Sequence, residues 1–294
     1  MAHAAAGPPK PLSGRLWKSM RKFPMLYLGG GIILLLSVTA IFAPWIAHYP
    51  YATQFRHGLT ASGTPLPPGG RFVWGTDDLG RDVYSRVIYG SRVSMVVGVF
   101  STLISLVIGT TLGLVSGYFG GFPDMVIMRL TDAVLAFPYF LFAMALVAVL
   151  GPSERNVLLA IGVIGWGVMA RVVRGQVLAV KEFEYVQAEK AIGASTFRIL
   201  FSVILPNILG PVIVLAAIAV GTNMVMEAGL SFLGIGVQEP VPSWGNMISA
   251  GLQAFQYAPW LFLIPGLALT LAVLGFNLFG DGLRDILDPR NASR

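Results

Sequence analysis

Apolar positions in this chain gather into six long runs, near residues 25–47, 94–117, 133–151, 156–179, 207–231 and 258–280. A helix needs about 20 predominantly apolar residues to cross the hydrocarbon core of a bilayer. The pattern therefore predicts an all-α integral membrane protein with six transmembrane helices. The first run, Met25 to Ala47, holds 23 uncharged residues behind Arg21 and Lys22. It exceeds the roughly 7–15 apolar residues of a secretory signal and reads as a retained helix. The fourth run is the weakest, since Asn156 to Ala170 gives only 15 uncharged residues. It spans only if Arg171 and Arg174 snorkel at its end.

Composition strengthens the reading. Apolar and aromatic types make up 55% of the 294 residues and charged types only 12%, about half the share usual in soluble domains. There is no cysteine, which excludes a disulfide framework and a thiolate metal site. The net charge of +6 does not point to nucleic acid, because the basic residues sort by loop and form no long stripe with interleaved aromatics. With the N-terminus inside, 14 Lys and Arg fall on inner segments and six on outer ones. Positive charge favours the cytoplasmic side, so both termini and the loop 181–206 are expected in the cytoplasm. Five arginines in the outer loop 48–92 oppose this, but long loops influence orientation less.

The expected organisation is an N-terminal tail with an interfacial helix (1–24), a six-helix domain (25–280) and a C-terminal tail (281–294). Leu12, Leu16, Met20 and Phe23 recur at helical spacing among Arg15, Lys18, Arg21 and Lys22, as in a helix lying on the inner leaflet; a flexible basic tail is the alternative. Residues 1–10 are small and Pro-rich, and disorder is expected there.

The polar island between the fourth and fifth runs is the most specific feature. It reads Glu184-Tyr185-Val-Gln187-Ala188-Glu189-Lys-Ala191-Ile-Gly193-Ala194, and nine residues after Gly193 comes Val203-Ile-Leu205-Pro206. A short helix is expected up to Ile192. Gly193 permits a turn there, Ser195 can cap a second helix, and Pro206 marks a bend before the next span. Two short helices at an angle make a knob that can enter a cleft of another subunit; an ordinary amphipathic surface loop is the alternative. The spacing closely resembles the docking loop of ABC importer permeases, with Gln187 and Glu189 replacing the Glu and second Ala of the family triplet. Ala188, Gly193, Leu205 and Pro206 match.

Three further strings carry the same resemblance. Trp74 to Arg92 contains Asp77, Asp78, Asp82 and Arg86. Its aspartates lack the alternation of a calcium loop, so capping by Asp82 and Asp–Arg contacts are expected rather than a metal. Glu227 to Met247 includes Trp244, and Phe276 to Arg290 includes Asn277. Together the four strings, from about residue 20 to 290, resemble the dipeptide/oligopeptide/nickel group of ABC importer permeases, of the C-subunit type. That resemblance implies a bacterial cytoplasmic (inner) membrane location and import of dipeptides or oligopeptides by alternating access, with nickel or another small solute as the alternative cargo. It also implies a second homologous permease subunit, two ABC ATPase subunits and an external substrate-binding protein. Its docking loop would comprise Glu184, Tyr185, Gln187, Ala188, Glu189, Ala191, Gly193, Ala194, Leu205 and Pro206.

Two chemical points bear on the energy source. None of the five lysines follows a glycine, so the chain has no phosphate-binding Gly-Lys-Ser/Thr loop. It binds no cofactor on this reading; ATP and Mg belong to the partner ATPases, and the chain is not itself an enzyme. Glu227 is the one carboxylate within the six runs, and an ionisable group there is costly. It is either a proton site, as in a proton-coupled secondary transporter, or a structural acceptor satisfied by amides of its glycine-rich loop. Asp77, Asp82, Arg86, Glu227, Trp244 and Asn277 are the structural or pathway candidates. Gly109, Gly113 and Gly117 recur every four residues and are expected to let helices pack closely.

Overall fold

The structure is a computed structural model that describes residues 23–287. The N-terminal segment 1–22, with most of the expected interfacial helix, and residues 288–294 lie outside the described residues. Among the described residues the fold is helical, with only isolated β-bridges in the first loop.

The chain enters at α1 (Pro24–Ile41) and a short α2 (Ala43–Ile46). A turn-rich loop then leads to α3 (Val83–Phe119). Asp82 caps α3 by accepting a hydrogen bond from the Ser85 amide at 2.9 Å, which satisfies one of the free donors of the first turn. At 37 residues, α3 rises roughly 55 Å and so starts well before the predicted run at 94.

The predicted third run, 133–151, is not one straight span. It is divided between α4 (Gly121–Ala136) and α5 (Tyr139–Leu150), which meet at 89°. Pro138 is the cause: the residue before a proline is pushed out of the helical region, and Phe137 is extended at ψ 139°. The fourth run is α6 (Glu154–Ile164) followed, after Gly165, by α7 (Trp166–Val180). Then come α8 (Glu184–Ala191), the single turn α9 (Thr196–Arg198), a π-helical segment Ile199–Ile204 and α10 (Leu205–Phe232). The chain closes with α11 (Trp244–Gln253) and α12 (Trp260–Leu287). The capped, amphipathic α11 lies beyond the predicted fifth span. Among the described residues, five helical stretches are long and apolar enough to cross a membrane, and six spans result if the bent pair is one.

Glycines set the closest packing. A Cβ on Gly109, Gly113 or Gly117 would come within 2.7 Å of Met169, Ala170 or Val177, so α3 and α7 lie nearly backbone to backbone. At the other side of the bundle, a side chain at Gly29 would collide with the backbone of Gly275 and Phe279, which seats α1 on α12.

The core has three parts. Val87, Met224, Trp244 and Phe276 fill one end, Leu114, Val177, Val186 and Ile204 fill the other, and Val97, Val147, Ile161 and Leu230 pack α3 against α5, α6 and α10. Outside the core, Val149 is 84% exposed and Leu34 65%. Such a surface is unfavourable in water and suits contact with lipid.

Candidate functional site

The loop 181–206 forms a knob at one end of the bundle. Val186 is the root: it is fully buried among α7, the π segment and α10, while Glu184, Gln187, Ala188 and Ala191 on the same helix are exposed. Gly193 ends α8 in the left-handed region at φ 79°. The Ala194 amide donates to Glu189 O at 3.0 Å and the Gly193 amide to Lys190 O at 3.1 Å, the paired bonds of a glycine-terminated helix. Ser195 Oγ accepts from the Arg198 amide at 3.3 Å and caps the next turn. An ion pair between Arg198 and Glu189 at 3.5 Å bridges the two pieces.

The knob is tied to α3 as well. Lys181 Nζ donates to Gly117 O at 3.0 Å, and Lys190 Nζ lies 5.3 Å from the Tyr118 ring centroid. Beyond the knob, Asn207 Nδ2 donates to Val203 O at 2.7 Å beside Pro206, which has no N–H to offer. Leu205 is half-buried and Pro206 exposed. Apolar groups face outward: Ile192 is 76% exposed and Phe197 72%, with Tyr185 at 42%. Sequence reasoning overlooked Val186, Ile192 and Phe197. Their signal was apolar side chains within a loop that also carries Lys181, Glu182, Glu184, Glu189, Lys190 and Arg198.

The opposite end carries an ion cluster. Asp77 Oδ2 lies 2.6 Å from Arg81 Nε and 3.5 Å from Arg86 Nε. Glu239, from the loop after α10, reaches Arg81 at 2.6 Å and Arg86 at 2.8 Å. Burial alone would lower the Arg81 guanidinium, but Asp77 and Glu239 outweigh it and hold it above its ordinary range. Burial and the charge of Asp77 raise the neighbouring Asp78 carboxyl. Trp244 is buried and donates from Nε1 to Val87 O at 3.1 Å. Arg81 and Glu239 were missing from the expected set, and Glu239 is 153 residues from Arg86, beyond any local pattern. Asn277 stands exposed on α12 and joins neither network.

Glu227 is fully buried on α10. Ser94 Oγ donates to its Oε2 at 2.9 Å and Ser231 Oγ to its Oε1 at 2.8 Å. The amide of Val237 donates to Ser231 at 3.0 Å, so the loop backbone reaches Glu227 through a hydroxyl rather than directly, as the sequence had suggested. Between the knob and the ion cluster, the bend at Pro138, the break at Gly165 and faces of α3 and α10 line a half-open cavity of about 440 Å³.

Comparison with known proteins agrees with this architecture. The family described as "Binding-protein-dependent transport system inner membrane component" matches residues 109–293, and the "N-terminal TM domain of oligopeptide transport permease C" matches residues 12–68. The chain is 44% identical to the dipeptide transport system permease protein DppC of Alkalihalophilus pseudofirmus, over 94% of this chain and 90% of that one. It is 43% identical to the di/tripeptide transport system permease protein DppC of Pseudomonas aeruginosa, over 90% and 88%. It is 40% identical to the oligopeptide transport system permease protein OppC of Bacillus subtilis, over 98% and 95%. With its apolar helices this makes it a multi-pass inner membrane protein that works in a complex with other transporter components. The chain belongs to the binding-protein-dependent inner membrane components, the permease subunits of ABC importers.

Proposed function

We propose that this chain is one half of a heterodimeric pore that imports dipeptides or oligopeptides, and that it is driven through the knob at 181–206. A second homologous permease completes the pore, an external binding protein delivers the peptide, and two ABC ATPases bind ATP and Mg and perform the hydrolysis. Both termini and the knob face the cytoplasm. The names of the relatives support the peptide cargo, and family membership favours ATP drive over a proton-coupled carrier.

The observation that carries the coupling role is the unbroken path from the knob to the pore. Thr196 to Phe232 runs as one 37-residue helical element, through the π segment and past Pro211. The exposed Ile192 and Phe197 offer an apolar tip to a cleft, and Val186 anchors that tip to the core. ATP can bias two pore states only through contacts that differ between them, and a rooted protrusion supplies such contacts.

The test uses the reconstituted complex with its binding protein. Gly193→Trp places a bulky residue in a left-handed turn and is expected to reduce peptide uptake by about an order of magnitude, given that 1–3 kcal/mol of strain is at stake, with the complex still in the membrane. Uptake at the wild-type rate refutes the coupling role. Since the native chain lacks cysteine, a lone Ile192→Cys thiol reports orientation directly: labelling from the external face alone refutes the cytoplasmic placement.

A further inference from the structure

The cavity of about 440 Å³ has the size of a small-molecule site, which is typically about 300–1,000 Å³. It sits where two spans are interrupted. Phe137, Pro138 and Tyr139 supply one wall at the 89° bend, and Gly165 supplies another at the break between α6 and α7. Irregular backbone at membrane depth is tolerated where it lines a cavity, and discontinuous helices build transport sites in other carriers.

The lining is apolar with a narrow polar strip, and no Asp, Glu, Lys or Arg contributes to it. The strip is ordered. Asn223 Nδ2 donates to Thr102 Oγ1 at 2.9 Å, and Thr102 donates onward to Gly98 O at 2.7 Å. The Tyr139 hydroxyl has two acceptors in reach, Ile161 O at 3.1 Å and Asn223 Oδ1 at 3.2 Å. One proton cannot fully serve both, so acceptor capacity is left at the cavity wall. A Cβ on Gly165 would lie 2.5 Å from Ser105 Oγ and 3.2 Å from Tyr139 Oη, so any other residue there would crowd this strip.

We propose that the cavity is a specificity-determining subsite that receives an uncharged, apolar side chain of the passing peptide, with the Tyr139–Asn223 strip accepting one peptide N–H. This rests on the peptide-import reading above. The charged ends of a peptide find no counter-charge in the lining, and burying them unpaired is prohibitive, whereas an apolar side chain gains from the walls. Val168, half exposed, and Ala219 both line the cavity, from α7 and α10.

The experiment is uptake by the full complex with its binding protein in liposomes. Alanyl-phenylalanine and dialanine are supplied together, and the ratio of their uptake is read. Ala219→Trp fills the cavity and is expected to lower the phenylalanyl-to-alanyl ratio about tenfold, the discrimination that pocket volume commonly gives. Val168→Ala enlarges the cavity and is expected to shift the ratio the other way. If both variants leave the ratio unchanged while both rates fall, the cavity is structural and the proposal fails. It also fails if the ratio holds and Ala219→Trp instead expels a co-purifying lipid chain. A wild-type complex that moves neither dipeptide fails the import reading itself; wild-type transport with unmoved ratios fails the subsite alone.

Discussion

The ammonium of Lys190 lies 5.3 Å above the ring of Tyr118, joining the protruding loop to the end of a helix whose start, at Val83, lies in the ion cluster. A cation over an aromatic face contributes about 0.5–1 kcal/mol at exposed sites. The pair is therefore too weak to hold the fold, yet of the size that biases a two-state equilibrium. Tyr118→Leu is expected to leave thermal stability within about 1 kcal/mol of wild type while raising the ATP consumed per peptide imported about two- to fivefold. Tyr118→Phe, which keeps the ring, should behave as wild type. An unchanged ATP-to-peptide ratio in Tyr118→Leu would remove the pair from the coupling path.

The two arginines at the other end share two carboxylates, and Arg86 is 2% exposed. Glu239→Gln leaves two guanidinium groups facing Asp77 alone. Loss of one partner of a buried pair costs about 3–5 kcal/mol, reduced here because Glu239 is 49% exposed. A loss of about 2 kcal/mol and a lower melting temperature are expected. The double variant Glu239→Gln with Arg86→Met should be less damaging than the sum of the two singles by about 1–2 kcal/mol. Strict additivity in thermal melts of the detergent-solubilised complex would mean that the two residues do not cooperate.

Glu227 ties α3, α10 and the 231–237 loop through hydroxyls. Glutamine can keep both contacts, whereas leucine strands Ser94 and Ser231 at about 1–3 kcal/mol each. Glu227→Gln is expected to transport at near the wild-type rate, and Glu227→Leu to lose stability and accumulate poorly. A protonophore should not stop uptake into vesicles that retain ATP. Collapse of uptake in Glu227→Gln at full stability would return the residue to proton chemistry.

Much of this was legible in sequence because the bilayer imposes a coarse rule: long apolar runs become helices. That rule located the spans and the knob, and Gly193 announced its turn through the one residue type that left-handed backbone favours. The rule fails where a run contains a local contradiction. Pro138 sits inside an otherwise unbroken apolar stretch, and hydropathy does not register that it turns Phe137 out of the helix. It also fails for partners brought together only by folding, such as Glu239 with Arg86, and for α11, too short and too amphipathic to stand out. Val186 is not among the motif's matching positions Ala188, Gly193, Leu205 and Pro206, and its burial arises only when α7 and the π segment fold against it.

The helical rod from Thr196 to Phe232 carries a mechanical corollary. Its first turn belongs to the knob, Thr222 and Asn223 border the cavity, and Ser231 begins the segment that leads to Glu239. On the proposed coupling, a displacement at the knob is carried to all three stations by one continuous helical element. Its wide-wound stretch is Ile199–Ile204; on the proposed drive through the knob, the stiffness of those six residues sets how much of a partner's stroke reaches the far end of the rod.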